Sequence, residues 1–138
     1  PAVHPEAPGA ALQTNADAVE VFRRAFWREP APADRILHAE RREWVSETDG
    51  VRRWQWFLAL EPGPELLDWL VAKNSFGLLA TADGPAPGAW DGAPAWFPRF
   101  PPAGATVMRN AEGSLWLVHD RSRNLLHATD AGGGFTPR

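Results

Sequence analysis

Three groups of residues in this chain have types and spacings that could carry chemistry. The first is His38, Glu40 and Arg42, at alternate positions of a segment with strand periodicity, so all three side chains fall on one face. An imidazole, a carboxylate and a guanidinium brought together under a covering layer would shift one another's pKa values and make an acid/base pair. The plainer reading is a solvated strand face on which Arg42 stacks over Trp56. The second group is His119 and His127, with Asp120 and Asp130, in the last predicted hairpin. A three-residue connection sets the two imidazoles opposite each other, whereas two or four residues set Leu126 opposite His119. A zinc site needs three or four converging ligands, and no HExxH spacing is present, so the expectation is no metal. The third group is Trp90, Trp96, Phe97 and Phe100, with Asp91 and Arg99 beside them, in a Gly/Pro-rich stretch. Rings on a proline-stiffened loop could stack on a carbohydrate or anchor a protein. At least two of the four rings are expected instead to complete the core.

Other chemistries are excluded or poorly supported. The chain has no cysteine, which removes disulfides and thiolate catalysis. None of Ser46, Ser75, Ser114 and Ser122 lies in a G-x-S-x-G elbow, and Gly132-Gly133-Gly134 lacks the strand-to-helix context of a phosphate loop. No cofactor is expected. The formal net charge of −3, mixed along the chain, lacks the concentrated basic face of a nucleic-acid binder. The longest uncharged apolar runs are far too short to cross a bilayer. The Pro/Ala-rich opening up to Ala11 suits a spacer behind a cleaved signal, which points towards export.

The elements that must position these groups follow from 138 residues that are 44% hydrophobic and hold eight tryptophans but no tyrosine. That length and composition fit one domain. Residues 1–14 read as a flexible arm, 15–131 as the domain and 132–138 as a tail after the triple glycine. A helix is predicted from Ala16 to Arg28, with Val19, Phe22 and Phe26 at helical spacing and Pro30 as its stop. A long hairpin follows from Arg35 to Glu61. Its Glu47-Thr48-Asp49-Gly50 turn fits a type I turn closed by a G1 bulge. In that register Trp44 faces Trp54 and Arg42 faces Trp56. One face then carries Ile36, His38, Glu40, Arg42 and Trp44 with Trp54, Trp56, Leu58 and Leu60.

A second helix is predicted from Pro64 to Asn74, its apolar stripe formed by Leu66, Leu67, Leu70 and Val71. The aperiodic stretch from Asp83 to Gly104 is followed by strands at 105–110, 114–120 and 125–129. The expected fold is α+β: a five-stranded antiparallel sheet made of a two-stranded hairpin, a crossing helix and a three-stranded meander, with two helices and a long aromatic loop. That element order is similar to profilin, roadblock and PAS domains by analogy of topology alone, which carries no function. The expectation is a soluble, non-enzymatic binding or protein-interaction module, with a protein, small-molecule or carbohydrate partner. Its contact surface would be the tryptophan-bearing sheet face, Trp56 included, and the aromatic loop. The alternative is a small enzyme or ligand sensor with a pocket around His38, Glu40 and Arg42.

Overall fold

The computed structural model describes residues 13–47, 49–81, 90 and 92–133. Most of the expected arm (1–12), the end of the expected tail (134–138), Thr48 and loop residues 82–89 and 91, Asp91 among them, lie outside the described residues. The elements run β1 (Gln13–Asn15), α1 (Ala18–Phe26), β2 (Arg35–Val45), β3 (Arg52–Glu61), α2 (Pro64–Leu67), which continues as a π-helical segment over Asp68–Lys73, then β4 (Leu79–Ala80), β5 (Thr106–Arg109), β6 (Trp116–Asp120) and β7 (Leu125–Gly133). All seven strands form one antiparallel sheet in the order β1-β2-β3-β7-β6-β5-β4. The α+β class holds, but the sheet has seven strands where five were expected. The two additions are the short edge strands, β1 on β2 and β4 on β5, too brief to show a period in the sequence. The profilin-, roadblock- and PAS-like analogy rested on the five-strand count and falls with it.

Local chemistry sets the element ends. The Asp17 carboxylate accepts the Glu20 N–H at 3.0 Å and caps α1, while Asn15 Oδ1 holds the Asp17 N–H at 2.8 Å. Val21, Phe22, Ala25 and Phe26 form the buried stripe of that helix. Trp27 ends it in the left-handed conformation (φ 56°), its N–H bonded to the Arg23 carbonyl. Asp34 then ties the start of the hairpin to its finish. One carboxylate oxygen accepts the Ala31 N–H at 2.9 Å and the other the Gly63 N–H at 2.7 Å.

The hairpin register differs by one residue from the expected one. Ser46 N–H bonds the Val51 carbonyl and Gly50 N–H the Ser46 carbonyl, both at 2.9 Å, so four residues, not three, span the turn. Asp49 accepts the Val51 N–H at 2.9 Å, and Gly50 supplies the left-handed residue (φ 70°). Trp44 therefore faces Arg53, Arg42 faces Gln55 and Glu43 faces Trp54. A one-residue slip exchanges every face. Trp54, Trp56, Leu58 and Leu60 now point towards α1 and α2, whereas Phe57 and Ala59 share the opposite face with His38, Glu40 and Arg42. An irregularity between Ile36 and His38 resets the pairing at the strand's start and leaves Leu37 on the surface.

Two cores result. Against the helices, Phe22 and Phe26 pack with Trp54, Trp56, Leu58, Leu66, Leu70 and Leu126. On the other face Phe57, Val118, Trp90 and Phe97 form a smaller cluster, roofed by the loop. Gly132 and Gly133, expected in the tail, belong to β7: Gly132 pairs with Trp54 and Gly133 with Arg53. A Cβ on Gly132 would sit 2.5 Å from Trp54 Cζ2, so the indole lies directly on this glycine. Replacing Gly132 with Ala is expected to cost about 1–3 kcal/mol by overpacking. Chemical denaturation measures it, and an unchanged midpoint would mean that the residue lies outside the packed sheet.

Candidate functional site

The first sequence-predicted group is brought together, but as a fastening. Arg42 pairs with Glu40, reaches the Gly92 carbonyl with Nη1 at 2.7 Å and lies 5.2 Å over the Phe57 ring. His38 stacks nearly parallel on Trp96, with centroids 5.0 Å apart and 14° between the planes. These three side chains thus grip the aromatic loop from beneath. Trp56 lies on the opposite face of the sheet, against Phe26 at 5.8 Å, because of the one-residue register change. It does not share a face with Arg42.

Within the loop, Phe97 is the centre. Its ring meets Phe57 at 5.2 Å, Trp90 at 5.4 Å, His127 at 5.5 Å and Trp96 at 6.1 Å, all edge-on. Trp90 also meets Trp116 at 5.9 Å. Trp90 and Phe97 are buried, Trp96 is half-buried, and Arg99 and Phe100 are exposed. The described part of this stretch, Trp90 and residues 92–104, is therefore the second cover of the sheet, closed by short turns such as Phe97 N–H to the Pro94 carbonyl at 2.9 Å.

His119 and His127 are separated by the sheet itself. Four residues join β6 to β7, so His119 pairs with Leu126 and Val118 with His127, and the two imidazoles point to opposite faces. Among the described residues no cluster of three or more His, Asp or Glu could hold a metal. His127 lies under the loop and donates a ring N–H to the Trp96 carbonyl. Burial, then the nearby Arg123 and His38 charges, push its pKa down to about 4, against the raising effect of that carbonyl. Asp120, by contrast, is held down to about 2 by the Ser122 hydroxyl and the Arg123 guanidinium, which close the β6–β7 turn.

A different place has the shape of a binding site. Between the helix after Gly63 and the far half of the sheet runs a groove of about 440 Å³. Leu67, Asp68, Leu70, Val71 and Ala72 form one wall, mostly on the π-helical segment. The floor is two cross-strand rows. Met108 pairs with Leu117 in the inner row; Thr106 pairs with His119, and His119 with Leu126, in the outer row. Arg121 stands at the rim, in the turn beyond β6. Adjacent rows on one strand lie about 7 Å apart, so the floor passes from Met108 and Leu117 to a row in which Thr106 and His119 join Leu126.

α1 packs on β2 and β3, Leu66, Leu70 and Leu78 pack in one core with Met108, Leu115 and Leu117, and the groove opens beside them over β5 and β6. The Asn74 N–H bonds the Trp69 carbonyl at 3.2 Å, five residues back, which is the wider π-helical turn often found at functional sites. Sequence reasoning missed this site. The available signals were Val71, more apolar surface than the helix buries, and the alternation of Thr106 with Met108 and of Leu117 with His119.

No family model, no curated protein and no solved structure matches the chain. The site must therefore be read from its own geometry.

His127 gives a pH signature for the loop face. Its folded pKa of about 4 lies below the ordinary 6.5, so the unfolded chain binds the proton more readily between those values. Its contribution to stability is complete above pH 6.5 and is lost progressively as the pH falls towards 4. Denaturation midpoints across that range are expected to fall in the wild type and to fall less in His127→Gln. Parallel profiles would contradict a buried neutral imidazole.

Proposed function

We propose that this chain is a non-enzymatic binding module that holds a small, largely apolar molecule in the groove between the π-helical segment and β5–β7. The observation that carries this reading is the groove itself. Its volume of about 440 Å³ lies within the 300–1,000 Å³ typical of small-molecule sites. Its lining also has the composition of such sites: mostly apolar side chains with a few polar ones, Asp68, Thr106, His119 and Arg121. The wall is built on a backbone irregularity of the kind found at functional sites rather than on a regular helix. Val71 is 51% exposed there, so apolar surface faces the opening that a ligand would cover.

Two further points favour the groove over the aromatic loop and over an acid/base site. Trp90 and Phe97 bury their rings within the domain, and Phe100 stands 75% open to solvent. His38, Glu40 and Arg42 are engaged with Trp96, with one another and with the Gly92 carbonyl. A general acid or base must instead reach a substrate proton.

Titration with the neutral fluorophore N-phenyl-1-naphthylamine is expected to give a saturable, single-site rise in fluorescence. Ala72→Trp places an indole on the exposed wall of the groove and should weaken that binding at least tenfold, with no loss of thermal stability. Unsaturable fluorescence, or equal affinity in this variant, would contradict the proposal.

A further inference from the structure

Two charged side chains line the groove, Asp68 on the helix wall and Arg121 beyond the Thr106–His119 row of the floor, and neither is in an ion pair among the described residues. Resting on the reading of the groove as a ligand site, we infer that its ligand is an amphiphile with an anionic head group, carboxylate or phosphate, seated against Arg121. The apolar body would lie over Met108 and Leu117, towards Leu70.

The assignment follows from how each polar group near Arg121 is engaged. Asn124 Nδ2 donates to the Pro62 carbonyl at 2.9 Å, which fixes the orientation of its amide. Its Oδ1 therefore faces His119 Nε2 at 3.2 Å, and the imidazole donates there. In the same turn, Arg123 Nε is bonded to the Asp120 carboxylate at 2.8 Å, and Asp120 Oδ1 also takes the Ser122 hydroxyl at 2.7 Å. The negative charge of the turn is thus already matched by Arg123. Arg121 is exposed at the rim and makes no ion pair among the described residues, including with Asp68 on the opposite wall. The β6–β7 turn consequently presents a surplus positive charge at the mouth of an apolar groove. Its planar guanidinium suits bidentate pairing with a carboxylate or phosphate, and the Thr106 hydroxyl in the adjacent row offers a further donor.

The floor and Arg121 are also correctly spaced for one molecule. Met108 and Leu117 lie one row inward from Thr106 and His119, and Arg121 continues outward past His119 along the same chain. A ligand that covers the floor with its body therefore ends at the guanidinium.

The test compares probes with one alkyl chain and different heads: decanoate, decyl phosphate, decanol and decyltrimethylammonium, each titrated calorimetrically below its micelle concentration. Decanoate and decyl phosphate are expected to bind about tenfold more tightly than decanol, the scale of a charge-assisted hydrogen bond. Arg121→Gln should remove that difference, and an unchanged thermal midpoint shows the variant to be folded. The ratio between decanoate and decyl phosphate tells which anion the rim prefers. Equal binding of anionic and neutral probes, or an Arg121→Gln variant that keeps the difference, overturns the head-group assignment while the groove stands. Tightest binding of decyltrimethylammonium overturns it in favour of Asp68. Failure of all four probes overturns both the assignment and the ligand site beneath it.

Discussion

The structure depends on one constraint: β3 is apolar on both of its faces. From Trp56 to Leu60 every side chain is buried, Trp56, Leu58 and Leu60 to one side and Phe57 and Ala59 to the other. An antiparallel sheet with one wet face alternates polar with apolar residues. This strand does not, and the sheet built around it must be covered twice. α1 and α2 cover one side. On the other, where a third helix would serve, the chain uses a proline-stiffened loop whose rings meet edge-to-face around Phe97.

The same constraint explains why charged residues lie beside so much aromatic surface. A loop has few backbone hydrogen bonds of its own to hold it on a sheet. Arg42 holds the Gly92 carbonyl, His127 the Trp96 carbonyl, and His38 stacks on the Trp96 ring. These polar groups carry structural duty on the loop side. The helix side is covered by two short helices and by Leu78 from the segment that follows them, and an apolar groove opens beside these over β5 and β6.

Several elements were legible in the sequence and others were not, for identifiable reasons. The helical spacing of Phe22 and Phe26, the alternation through the first hairpin and the proline start of α2 are local signals, and the corresponding elements formed. The hairpin register turned on one residue: the turn closes at Ser46 where the sequence pattern favoured Glu47, and Asp49 supplies the bond that makes the larger loop fit. That slip moved Trp54 and Trp56 away from Glu40 and Arg42. The edge strands β1 and β4, of three and two residues, are too short for any period. Gly132 read as punctuation because nothing local announces that an indole will lie on it. The groove was the least legible feature, because its wall at residues 67–72 and its floor at residues 106–126 lie far apart in the sequence. No single segment encodes it.

The central claim is that this groove is a ligand site, and the chain contains a reporter on it. Met108 is its single methionine, and it lies in the groove's inner row. With the methionine methyl labelled with carbon-13, the protein should give one methyl resonance. Titration with N-phenyl-1-naphthylamine should shift that resonance by ring current, with a midpoint equal to that of the fluorescence change. A Met108 methyl that stays in place while the fluorophore binds would put the ligand elsewhere and contradict the account.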